Sequence, residues 1–221
     1  MRWNHPVRGR IPPLEFIPIA EDTGLIVPIG RWVLNEACRE AARWHGDMRI
    51  AVNLSPIQFR EASLVDDVRM ALQRTGLDPT RLELEITETV MMQSGEQTIA
   101  KLKEINALGV KISMDDFGTG YSSLNYLRNF AFDKIKIDRS FINELGRDSE
   151  CDSIVRAIIS LADCLSVSTT AEGVETSEQL ETLRAMGCQE AQGYLFSPPR
   201  PANELQPFFD RMLRPRAVPA A

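Results

Sequence analysis

Histidine is nearly missing from this 221-residue sequence, which has only His5 and His45, in unrelated contexts. Any metal site must therefore be built mainly from carboxylates and amides, hard oxygen donors that favour Mg²⁺ or Mn²⁺ over a structural zinc. Cysteine is scarce as well. Cys38, Cys151, Cys164 and Cys188 are scattered with no Cys-x-x-Cys pair, which reads as reduced thiols in a cytosolic protein. No apolar run approaches the roughly 18 to 20 residues of a membrane span, and the N-terminus has no apolar signal core. Cytoplasmic placement, with no membrane contact from this segment, is the expectation. Positive charge is also short: 25 Lys and Arg stand against 31 Asp and Glu. That balance argues against a nucleic acid polymer or an anionic membrane as partner. An acidic protein can still bind a phosphate diester if metal ions supply the positive charge.

What is present is a repeated unit, a short apolar run followed by a helical pattern. Ile50 to Leu54, Leu82 to Ile86, Val110 to Met114, Lys134 to Ile137 and Val167 to Ala171 read as strands, with a last one from near Cys188 to Gln192. Helical stripes run through Leu64 to Leu72, Ile99 to Leu108 and Ile154 to Leu165. Thr176 with Gln179 fits a capping box that opens a further helix through Leu180, Leu183 and Met186. Three helices end in glycine, at Gly76, Gly109 and Gly187. The proline-punctuated N-terminal stretch is looser, with Arg31 to Trp44 as its main helix. Residues 1–213 form a single domain in this reading, and 214–221 a frayed tail. Repeated βα units imply a parallel sheet, doubly wound or closed into a barrel. No glycine-rich phosphate loop follows an early strand, which favours the barrel.

The strand ends carry the chemistry. In order they deliver Asn53, Glu85, the pair Asp115-Asp116, then Lys136 with Asp138, Glu172 and Gln192. A (β/α) barrel gathers such ends at one mouth. Clustered carboxylates repel unless a cation is present, and metals sharing a bridging carboxylate can activate water. Adjacent Asp115 and Asp116 point to opposite faces of a regular strand, so both reach one site only if the strand ends there. Singly, each residue has a bland alternative. Asn53 could be a turn residue, Glu85 the solvent face of a strand shared with Glu83, and Asp115-Asp116 a plain loop. Lys136 and Asp138 could be an ordinary ion pair, Glu172 and Glu175 acids near a helix N-terminus, and Gln192-Gly193 a turn. Taken together, one shared rim is the more economical account.

These motifs stand in order as Val52-Asn53-Leu54-Ser55, Glu85-Ile86-Thr87-Glu88, Asp115-Asp116-Phe117-Gly118-Thr119-Gly120-Tyr121-Ser122-Ser123-Leu124, Lys136-Ile137-Asp138, Ala171-Glu172-Gly173-Val174-Glu175 and Gln192-Gly193-Tyr194. The series closely resembles that of EAL domains, from Arg2 to about Pro201. The resemblance implies a modified (β/α)8 TIM-type barrel with one strand antiparallel, two Mg²⁺ or Mn²⁺ ions, and hydrolysis of cyclic di-GMP to linear pGpG. By similarity Asn53, Glu85, Asp115 and Asp116 hold metal, with Asp115 bridging. Lys136 holds the attacking water or a phosphate, and Glu172 is second-metal partner or general base. Arg2, Asn53 and Gln192 would contact substrate. Glu88 would tether the loop with Gly118 and Gly120, a loop that contributes to a homodimer contact in the family. The naming triplet, with a metal-ligand glutamate, and the first strand would fall upstream of Met1. The expectation is therefore a barrel lacking its first strand, with a catalytically weak or inactive cyclic di-GMP receptor as the alternative to the enzyme.

Overall fold

The computed structural model describes residues 1–118, 127 and 130–212, without the side chains of 92–95 and 211–212. The expectations for Gly120 and for the tail 214–221 lie outside the described residues. An antiparallel hairpin opens the chain, β1 (Trp3–His5) against β2 (Gly9–Ile11). Two helices follow, α1 (Pro13–Asp22) and α2 (Ile26–Ala41). This region is more ordered than the prolines suggested, and α2 begins five residues before Arg31. Pro13 sits at the first position of α1 and Pro28 in the first turn of α2. The first-turn N–H groups of a helix have no intrahelical acceptor, so proline removes nothing there.

The rest alternates strand and helix. In order come β3 (Ile50–Asn53), α3 (Leu64–Thr75), β4 (Leu82–Thr87), α4 (Glu88–Ala107), β5 (Lys111–Phe117) and β6 (Lys134–Ile137). Then follow α5 (Arg139–Asn143), α6 (Ser149–Cys164), β7 (Ser168–Ala171), α7 (Ser177–Met186), β8 (Glu190–Ala191) and α8 (Leu205–Met212). The expected capping box is present at Thr176 and Gln179. Gly76, Gly109 and Gly187 all have positive φ, as helix C-caps require. Helix α4 starts at Glu88 rather than near Ile99. Gln93-Ser94-Gly95 interrupts the apolar stripe that marks a helix in sequence, while the backbone continues through it.

The six strands β3 to β8 form one parallel sheet in sequential order. No antiparallel strand joins it among the described residues, and none pairs β3 with β8. The sheet curls into a TIM-like half-barrel that is open on that side. Its outer face carries Leu82, Leu84, Ile86, Ile112, Ile135 and Ile137, packed in one core with Val68, Leu102, Val155 and Ile159 of the surrounding helices. Side chains alternate along a strand, so the intervening residues Glu83, Glu85, Lys134 and Lys136 point into the barrel. Both faces of β4 are thus buried.

Candidate functional site

At the C-terminal ends of the strands, the Lys136 ammonium collects three carboxylates, two from β4 and β5 and one from the residue that follows β7. Its Nζ lies 2.7 Å from Glu85 Oε1, 2.9 Å from Asp115 Oδ1 and 2.6 Å from Glu172 Oε1. Asn53 Nδ2 donates to Glu85 Oε2 at 2.7 Å. Lys136, Glu85 and Asp115 are all buried. Glu85 is therefore not a solvent-facing strand residue, and Asn53 not merely a turn residue. Asp115, Asp116 and Glu172 each offer an oxygen within 4.8 Å of the others. Such an all-oxygen donor set fits a divalent cation of the hard class.

The two adjacent aspartates reach one site by a different route from the one expected. Strand β5 does not end at Met114 but runs through Phe117. Its register against β6 shifts between Met114 and Phe117, and Asp116 has φ +54°. This is a β-bulge, in which an extra residue breaks the alternation and re-aims a side chain. Aspartate is one of the few residues that accepts the left-handed region at modest cost.

Electrostatics follow from the crowding. Burial, and then the charges of Asp115, Asp138 and Glu172, raise Asp116 above the ordinary carboxylate value. Burial also raises Glu85, against the opposing pull of Lys136. Burial acts to lower the Lys136 ammonium, but Glu85, Asp115 and Glu172 outweigh it and its pKa is raised. The lysine therefore stays charged at neutral pH. The excess negative charge around it favours a further cation.

A second charged layer lies below the first, one that sequence reasoning missed. Lys134 Nζ is 2.9 Å from Glu83 Oε2 and 2.7 Å from Glu190 Oε2, linking β6 to β4 and β8 across the interior. Thr170 Oγ1 donates to Glu190 Oε2 at 3.0 Å. Each of these residues precedes a residue of the upper layer by two: Glu83 and Glu85, Lys134 and Lys136, Thr170 and Glu172, Glu190 and Gln192. That spacing was the available signal.

The remaining expected residues divide. Gln192 lines an interior cavity of about 460 Å³ together with Glu85 and Lys136. It is held by Gly193, where a Cβ would meet the Val174 backbone at 2.1 Å, so only glycine permits the two chain segments to touch. Glu88 opens α4, and its Oε1 accepts the Gly118 N–H at 3.2 Å. A Cβ at Gly118 would press on the Phe141 ring at 3.0 Å, and its φ is +97°. Asp138 does not pair with Lys136. It caps α5, accepting the Ser140 N–H at 2.9 Å. Arg2 is exposed and lines a separate, apolar hollow with Trp3, Phe16 and Trp32. Glu21 was not foreseen: it accepts the Ser55 hydroxyl at 2.5 Å, tying α1 to the loop after β3.

The profile described as "EAL domain" matches residues 1–199. The chain belongs to the EAL domain family. Among curated EAL relatives it is 51% identical over 209 residues to the bifunctional diguanylate cyclase/cyclic di-GMP phosphodiesterase MucR of Pseudomonas aeruginosa, covering 93% of this chain and 30% of that protein. It is 45% identical over 212 residues to the cyclic di-GMP phosphodiesterase NbdA of the same organism, covering 94% and 27% respectively. A solved structure of the MucR phosphodiesterase in complex with c-di-GMP superposes with a TM-score of 0.89 at 51% identity, over 92% of this chain and 84% of that one. A manganese/cy-diGMP complex of Klebsiella pneumoniae BlrP1 gives 0.77 at 30% identity, over 86% and 49%. The chain spans about a quarter to a third of the length of the curated relatives it matches.

Proposed function

We propose that the chain is a metal-dependent phosphodiesterase domain that hydrolyses cyclic di-GMP to linear pGpG. The observation that carries this reading is the Lys136 ammonium held by Glu85, Asp115 and Glu172 at the strand ends, with the re-aimed Asp116 alongside. The all-oxygen donors of Asp115, Asp116 and Glu172 support a divalent cation, and the reading takes two ions of the Mg²⁺ or Mn²⁺ class: Asn53, Glu85 and Asp115 would hold one, and Asp115 with Asp116 would hold the second. Bound there, divalent cations supply Lewis-acid polarisation of the phosphate and a lowered pKa for the attacking water. Glu172 accepts the proton as general base. Lys136 orients the water or a phosphate oxygen and offsets charge as it develops. The water oxygen forms a bond to phosphorus, the bond from phosphorus to the 3′-oxygen breaks, and the leaving oxygen takes a proton. Gln192, on the cavity that holds Glu85 and Lys136, contacts the substrate in this reading, whereas Arg2 lines a different hollow. Glu88, which accepts the Gly118 N–H, steadies the end of β5, and the domain acts as a homodimer in the cytoplasm.

Turnover of cyclic di-GMP with Mn²⁺, followed by chromatography of pGpG, tests the proposal. Asp115→Asn is expected to abolish it, because the shared ligand is lost; full activity in that variant would refute the assignment. Binding of the nucleotide by the unsubstituted chain without any linear product would instead favour a receptor role.

A further inference from the structure

The half-barrel holds two lysines two residues apart on β6, each among its own carboxylates. Lys134 lies between Glu83 and Glu190, and Lys136 among Glu85, Asp115 and Glu172. The lower layer carries the smaller excess of negative charge, since Arg49 lines the same cavity and offsets Asp47, leaving Lys134 against Glu83 and Glu190. The upper layer keeps the larger surplus of negative charge. Glu83 is the critical neighbour: at 4% exposed, its charge is screened little by water.

We propose that Lys134 is a positioning residue for Lys136. By satisfying Glu83 it leaves the Lys136 ammonium to the upper layer, where the chemistry of the proposed function takes place. The layers are two residues, or about 7 Å, apart along a strand, a distance a lysine side chain can swing through. A buried carboxylate without a cation is far more costly than an exposed one. Without Lys134, Glu83 therefore draws Lys136 downward and away from Asp115 and Glu172. The inference rests on that reading for its effect on turnover, but not for the geometry of Lys136.

The test uses ¹⁵N-lysine NMR to observe the Lys136 ammonium in metal-free protein, with cyclic di-GMP turnover measured in parallel. In Lys134→Met the Lys136 signal is expected to shift and kcat to fall roughly 10- to 100-fold, as for other groups that orient a functional side chain. In the double variant Glu83→Gln with Lys134→Met, the signal and most of kcat are expected to return, although the cross-barrel link is absent from both variants. An unmoved Lys136 signal in the single variant overturns the inference. So does a displaced signal in the double variant, which would make Lys134 a brace rather than a charge partner. Should the single variant not fold, the double variant still decides by its match or mismatch to the native signal. If the native chain shows no turnover, the phosphodiesterase reading fails while the Lys136 signal still reports on this one.

Discussion

Asp116 combines a left-handed backbone, at φ +54°, with a carboxyl crowded by other acids. Asp116→Asn keeps a residue type that tolerates the conformation and removes one charge. In the absence of metal it is expected to melt at an equal or higher temperature, and to lose most of its thermal response to Mn²⁺. Asp116→Val places a β-branched residue in that region, with an expected loss of about 1–2 kcal/mol in urea unfolding. The same residue sets a pH dependence. Burial first, then Asp115, Asp138 and Glu172, raise its folded-state pKa above the ordinary 3.8, so the folded state holds the proton more tightly than the unfolded chain. Its ionisation therefore costs stability above the raised value, and the cost fades as pH falls through that value toward 3.8. A cation relieves the cost only when the acids are ionised, so the rise in melting temperature on adding Mn²⁺ should shrink as pH falls from neutral toward 3.8. A rise independent of pH would separate Asp116 from the metal site. The identity of the upper-layer residues was legible in sequence because each stands at the end of an apolar run. Lys134 and Glu190 were not, because pairing across a barrel leaves only a two-residue offset as its trace.

Among the elements, α7 was the most fully legible, since its start is written locally. Thr176 accepts the Gln179 N–H at 3.2 Å while the Gln179 side chain accepts the Glu175 and Thr176 N–H groups. Thr176→Ala should therefore cost about 1 kcal/mol in urea unfolding. An unchanged midpoint would show that packing alone holds the helix. Strand β5 was legible as a strand but not in its ending. The bulge that turns Asp116 depends on how β5 meets β6 across a register shift, and no spacing within Val110 to Phe117 encodes it. In α1 and α2, proline misled the reading in two ways: Pro13 and Pro28 fall in first turns, where they cost little, and α1 forms with Pro18 in its interior.

Over the whole molecule, the sheet is protected unevenly. Among the described residues, strands β4 to β7 are paired on both sides, while β3 and β8 are each paired on one. Hydrogen exchange should therefore be slowest in β4 and β5, the two longest strands of the sheet and each other's neighbours, and fast in the two-residue β8. Equal protection of β8 and β5 would mean that something covers the open side in solution. No helix among the described residues is long and apolar enough to cross a membrane. The sequence by itself determined the βα repeat, the order of the strands and most of the residues at their ends, because apolar period and capping chemistry are local. Only the tertiary structure decided that Lys136 gathers Glu85, Asp115 and Glu172, that Asp116 turns to join them, and that Lys134 separates a second layer beneath. Those outcomes depend on the curl of the sheet, which brings together side chains that lie 51 residues apart for Glu83 and Lys134, and burial then makes their charges matter.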